Sequence, residues 1–207
     1  MMSKIKNTLA MMTVIIGASS NLAFAADWQF DLNKTQINFT TPPTGMTQVN
    51  GRFNQFDGQI KGDVFDQKNI QINFVAESNS VSTGSRIHDG VLKGSSLFNV
   101  EKYPTLNFKS TSVTQIDPAH VIVQGDLTML GVTKPIKTNV TLEKPQFDPI
   151  TKVVSINASA DLVIRRSKWG MTGYSSFVGN DIAVHTTGLL ISNNVKPEDL
   201  AKLSKAK

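Results

Sequence analysis

The sequence predicts an all-β chain of eight long antiparallel strands, and three features carry that expectation. Apolar and polar residues alternate in run after run, turn residues separate the runs, and only residues 78–104 and the C-terminal tail carry a helical signal. Alternation gives each strand one dry and one wet face, the pattern of an antiparallel sheet with one solvated side. Eight such strands either close on themselves or split into a sandwich. The dry positions mix large residues (Phe39, Phe74, Phe108, Met129) with small ones (Ala76, Ser110, Gly125, Thr138, Ala158, Ala160, Thr186, Gly188). That mixture favours a barrel around an apolar cavity, with a filled sandwich as the alternative.

The elements follow in chain order. Lys4 and Lys6 precede the apolar run "LAMMTVIIGA", and an Ala-x-Ala ending follows at Ala23–Ala25. This is the form of a secretory signal, too short in its apolar part to span a bilayer, with cleavage expected after Ala25. Residues 26–193 are then one domain. Trp28, Phe30 and Leu32, followed by Ile37 and Phe39, mark a first strand over 27–40. A second, over 47–61, changes parity between Phe53 and Phe56, which predicts a β-bulge near Asn54-Gln55. In 69–77 the dry set is Ile70, Ile72, Phe74 and Ala76, and Leu106 and Phe108 begin the next strand. In 120–130 it is Val121, Val123, Leu127 and Met129; in 135–143 it is Ile136, Val140 and Leu142. The longest run, 152–165, places Val154, Ile156, Ala158, Ala160, Leu162 and Ile164 on one face, and 181–191 adds Ile182, Val184 and Leu190. Asp117-Pro118, "GVTKP" (131–135) and Asp148-Pro149 supply turns between runs. The tail, 194–207, reads as a short surface helix starting at Pro197, Glu198 and Asp199, with Leu200 and Leu203 on one face. Its lysines suit a transient contact with a membrane surface.

Most catalytic classes find no residues here. The chain has no cysteine, so it lacks disulfides and thiolate metal sites. His88, His120 and His185 show no metal-ligand spacing, and no nucleotide-binding or nucleophilic-serine motif occurs. The formal charge of +5 is too weak and dispersed for nucleic acid. We therefore expect no catalytic residues, no metal and no catalytic cofactor.

Two stretches remain. "SRIHDGVLKGSSLFNVEKYP" (85–104) is too long for a hairpin and too apolar for a solvated loop. Ser85 suits the cap of one helical turn and Ser95 or Ser96 another, with Ile87, Val91, Leu92, Leu97, Phe98 and Val100 beneath. This reads as a lid in which Ile87, Leu92, Leu97 and Phe98 face the interior. In "RRSKWG" (165–170), Arg166 continues the dry parity of its strand. It suits either a phosphate or carboxylate headgroup at a barrel mouth or a salt bridge to a core or loop carboxylate. Trp169 lines the pocket or plugs the barrel end, and Arg86, opening the lid, is placed with Arg166 and Trp169 at the mouth.

The pieces "GRFNQFDG" (51–58), "SVSTG" (80–84), "HDGVLKGSSLFNVEKYPTLNFKST" (88–111), "VQGDLTMLGVTKPI" (123–136), "RRSKWG" (165–170) and "VGNDIAV" (178–184), with Trp28 and Asp31, carry a resemblance. Along nearly the whole mature chain the sequence resembles the YceI-like family of secreted bacterial proteins. The resemblance implies an extended, lipocalin-like eight-stranded antiparallel barrel. It also implies a periplasmic carrier or sequestering role, without catalysis, for an amphiphilic lipid such as a polyisoprenoid or quinone-like chain. On that reading the lipid-binding lumen comprises Phe39, Phe74, Phe108, Val123, Leu127, Met129, Val140, Leu142, Ala158, Ala160, Leu162, Ile164 and Val184. A homodimer is compatible with the sequence. The alternative function is a non-catalytic structural or interaction module with a filled barrel.

Overall fold

The first strand pairs with the last. The computed structural model describes residues 28–42, 48–62 and 70–195; the leader, its cleavage site and the expected tail helix lie outside them. Strands β1 (Trp28–Thr40), β2 (Asn50–Phe53), β3 (Phe56–Lys61), β4 (Gln71–Glu77) and β5 (Val81–Ser82) precede helix α1 (Arg86–Lys93). Strands β6 (Thr105–Asp117), β7 (His120–Met129), β8 (Val132–Leu142), β9 (Gln146–Phe147), β10 (Val154–Arg165) and β11 (Asp181–Ser192) follow. Every pairing is antiparallel. The sheet runs β11-β10-β8-β7-β6-β4-β3-β1 and closes through β1–β11. With β2 and β3 taken as one interrupted strand, this is the closed eight-stranded barrel that the alternation predicts, and the sandwich is excluded.

The expected interruption falls where parity changes. Asn54 and Gln55 leave the strand, so Phe53 pairs with Ile37 and Val81 while Phe56 pairs with Ala76. Both phenylalanines then face inward although three positions apart. Two further irregularities are not apparent from the alternation alone. In β1 the register against β11 shifts between Asp31 and Gln36. The extra residues turn Leu32 outward, 46% exposed rather than dry, while the Thr35 hydroxyl donates to the Asp31 carbonyl at 2.8 Å. In β6 a shift between Ser110 and Ser112 reverses the parity beyond it, and the Ser110 hydroxyl accepts the Ile72 amide at 2.8 Å.

Two clusters close the ends. Trp28, Ile60, Val154, Ile156 and Leu190 pack at one, with Leu142 and Phe30 against them. Ile37, Phe39, Phe53, Ala76, Val81 and Ile182 pack at the other, beneath Leu92 and Phe98 of the lid. Between them the β8–β10 ladder is short: Asn139–Leu142 pair with Ala158–Asp161, after which the two strands part. The Thr138 hydroxyl bonds the Asp161 carbonyl at 3.0 Å at the point of parting.

Inward glycines seat large rings. A Cβ on Gly51 would lie 2.3 Å from the Phe39 ring, and one on Gly125 would lie 2.5 Å from both the Phe108 ring and the Lys109 carbonyl oxygen. Gly125 thus contributes contact for Phe108 rather than open lumen. Gly125→Ala pushes against backbone and is expected to cost about 1–3 kcal/mol in urea unfolding. Gly90→Ala, on α1 where nothing lies within 4 Å of the new Cβ, is expected to stabilise by about 0.5–1 kcal/mol.

Candidate functional site

The inward faces enclose an apolar cavity of about 360 Å³ running between the two end clusters. The residues named for the lumen, from Phe39 on β1 and Phe74 on β4 to Val184 on β11, line it, whereas the dry positions Ser110 and Gly125 do not. The small residues sit on neighbouring strands in register: Ala158 opposes Gly188, and Ala160 opposes Thr186 on one side and Val140 on the other. The sequence reading missed part of the wall. Val113 and Gln115 reach it only because of the bulge in β6, and Met171 and Val178 reach it from the loop between β10 and β11. The Ser110–Val113 spacing is the signal for the first pair; no periodicity marks the second.

The lid forms, with a different division of faces. Ser85 caps α1, its hydroxyl accepting from the His88 amide at 3.4 Å. Leu92, Leu97 and Phe98 line the cavity, and the Phe98 ring meets Phe53 edge-on at 5.6 Å between centroids. Ile87 does not: it is 80% exposed, and Val91 is 38% exposed. Ile87 and Val91 stand four apart and share one helix face, whereas Leu92 is a further 100° round, so one helix cannot turn all three inward. Residues 95–98 form turns rather than a second serine-capped helix. Asp89 ties the helix to the preceding strand. It accepts from the Thr83 amide at 2.6 Å, the Thr83 hydroxyl at 2.8 Å and the Ser82 hydroxyl at 3.1 Å. These bonds, the Thr83 amide first, hold its carboxyl below the ordinary value of 3.8 against the opposing effect of burial.

At the lid end, Arg166 is 3% exposed and is the one charged side chain in the cavity lining among the described residues. A salt bridge to a carboxylate is not what it makes among the described residues. Its Nε donates to the Gly179 carbonyl at 2.9 Å, Nη1 to Met171 and Gly173 at 2.8 Å each, and Nη2 to Val178 at 2.9 Å. Burial lowers its pKa, and no charged neighbour contributes to the shift. The guanidinium is thus the hub of the 171–179 loop. That loop presses on the lid, since a Cβ on Gly173 would lie 2.3 Å from the Ser96 carbonyl oxygen. The other two residues expected at the mouth stand elsewhere. Trp169 is buried and donates Nε1–H to the Leu127 carbonyl at 3.0 Å, and it does not line the cavity. Arg86, in the first turn of α1, is exposed to solvent.

The histidines stay outside. His120 bonds Asp117 at 2.8 Å in the β6–β7 turn, and His185 bonds Asp161 at 2.6 Å on the outer wall. Among the described residues no group of three or more histidine, aspartate or glutamate side chains is arranged to hold a metal. No described helix is long and apolar enough to cross a membrane.

Comparison with known proteins meets this architecture directly. A model described as a YceI-like domain matches residues 28–190. The chain belongs to the YceI-like family. It is 34% identical over 149 residues to a UPF0312 protein of Pectobacterium carotovorum, spanning 70% of this chain and 76% of that one. A UPF0312 protein of Yersinia pestis is 36% identical over 132 residues, 61% and 67% of the respective chains. Among solved structures, BcnA of Burkholderia cenocepacia superposes with a TM-score of 0.68 at 19% identity, over 77% of this chain and 98% of BcnA. A polyisoprenoid binding domain from Saccharophagus degradans, implicated in plant cell wall breakdown, gives 0.59 at 14% identity, over 80% and 98%. These two likenesses extend the family fold to distant sequences.

Two outcomes follow from the YceI-like lid end. Asp89 has a depressed folded pKa, so its contribution is complete above pH 3.8 and fades as pH falls through the lower folded value. Asp89→Ala at neutral pH is expected to speed amide exchange across 86–93 roughly tenfold, with little change in the barrel strands. Arg166→Lys keeps the charge but not the fork that reaches four carbonyls. It is expected to cost roughly 2–4 kcal/mol in urea unfolding.

Proposed function

We propose that this YceI-like protein is a periplasmic carrier or sequestering protein, without catalytic activity, that holds the chain of an amphiphilic lipid in the barrel. The observation that carries the reading is the cavity itself. Its wall is apolar on every strand of the barrel, with a single ionisable side chain among the described residues, at one end. The leader in the sequence supports export, and the polyisoprenoid-binding neighbour in the same fold supports a long apolar ligand such as a polyisoprenoid or a quinone-like chain. A filled barrel acting only through its surface has little support beside a lumen of this volume.

The energetics suit the role. Enclosing about ten methylenes gains on the order of 8 kcal/mol at roughly 0.8 each, before the costs of association and ordering. Leu92, Leu97 and Phe98 would shield the chain from water once the lid is seated. Exchange of ligand then requires the lid to move, on the timescale of other loop and lid motions.

Mass spectrometry of an organic extract from detergent-free protein tests the proposal. A stoichiometric lipid is expected in the native protein, and its absence from repeated preparations would overturn the carrier reading. Ala160 lines the lumen in register with Thr186 and Val140. Ala160→Phe is expected to fold and to retain at least tenfold less lipid.

A further inference from the structure

Arg166 does more than hold its loop. A guanidinium carries five N–H donors. Nε and Nη1 use all of theirs on the Gly179, Met171 and Gly173 carbonyls, and Nη2 uses one on Val178. The fifth donor has no partner among the described residues, although the side chain is only 3% exposed. The four carbonyl dipoles soften the charge but do not cancel it, and no carboxylate among the described residues stands in the cavity lining. A buried donor without a partner costs about 1–3 kcal/mol, and an unpaired buried charge costs more. Both costs fall when an anionic acceptor enters the cavity.

We propose that Arg166 is a headgroup anchor, and that the ligand class is a long-chain amphiphile ending in a carboxylate or phosphate rather than a neutral alcohol or quinone. This rests on the carrier reading and narrows it. The polarity of the lumen fixes the orientation: the head lies under the 171–179 loop, and the chain runs toward the Trp28 cluster at the opposite end. An anion there also touches the hub that braces the lid, because Gly173 of the same loop abuts Ser96. Seating of the head and closure of the lid are thereby coupled through one side chain.

The test compares two probes of equal chain length, dodecyl phosphate and dodecan-1-ol, by calorimetry on the delipidated, refolded mature chain. A charge-assisted bond contributes about 1.5–3 kcal/mol, so dodecyl phosphate is expected to bind roughly 10- to 100-fold more tightly. The preference should survive 0.5 M salt, because a buried pair is little screened. Arg166→Gln should bring the two affinities to within about threefold, whereas Arg165→Gln, which removes an exposed charge paired with Asp181, should leave the preference intact. Should Arg166→Gln fail to fold, the salt series on the unaltered protein still decides. Equal binding of both probes, or a preference abolished by salt, overturns the anchor while leaving lipid binding in place. Binding of neither overturns the carrier reading as well.

Discussion

The pairing of β1 with β11 is the constraint on which the rest depends. Once the first and last strands share a ladder, every inward side chain must face other inward side chains across a fixed circumference. Backbone hydrogen bonding sets that circumference, not side-chain volume. Where the inward residues are large, as at Trp28, Ile60 and Val154 or at Phe39, Phe53 and Val81, they meet and exclude water. Where they are alanine or threonine, as along β10 and its neighbours, they do not meet, and the middle of the barrel stays open. The cavity is therefore what ladder geometry leaves after the end clusters have packed.

Against that apolar wall Arg166 is an electrostatic exception placed with care. A buried cation is tolerated when its donors are occupied, and here four carbonyls of one loop occupy most of them. The cost of burying the charge is turned into order: a loop of glycines and polar residues takes one conformation because its carbonyls converge on one guanidinium. The lid rests on that loop at Ser96 and on β5 through Asp89. The first support is a close backbone approach and the second a set of hydrogen bonds, and between them Leu92, Leu97 and Phe98 pack over the cavity.

Much of this was legible in the sequence because period-two alternation reports directly which side of a sheet is dry. The eight strands, the break at Asn54-Gln55 and the lumen positions all follow from parity. Parity fails where extra residues enter a strand: the register shift after Asp31 exposes Leu32, and the bulge at Ser110 conceals that Val113 and Gln115 face the cavity. The lid was harder. Its apolar content was plain, but a helix divides its faces by 100° steps, so Ile87 and Val91 turn to solvent while Leu92 turns in. Arg166 and Trp169 were visible as candidates, yet their partners are backbone carbonyls, which no pattern of side chains encodes.

The parting of β8 from β10 carries one more consequence. A barrel is usually free of unpaired strand margins, and this one has a margin where β8, still paired with β7, leaves the β10 ladder from Val132 to Thr138. Such margins invite pairing with another molecule, and from there aggregation. The residues on this stretch are the ones that discourage it: Lys134, Pro135 and Lys137. A proline has no donor to offer an incoming strand, and two lysines resist being buried beside one. "TKPIK" can thus be read as a guard on the seam, letting the wall stay ajar without becoming a template for another chain.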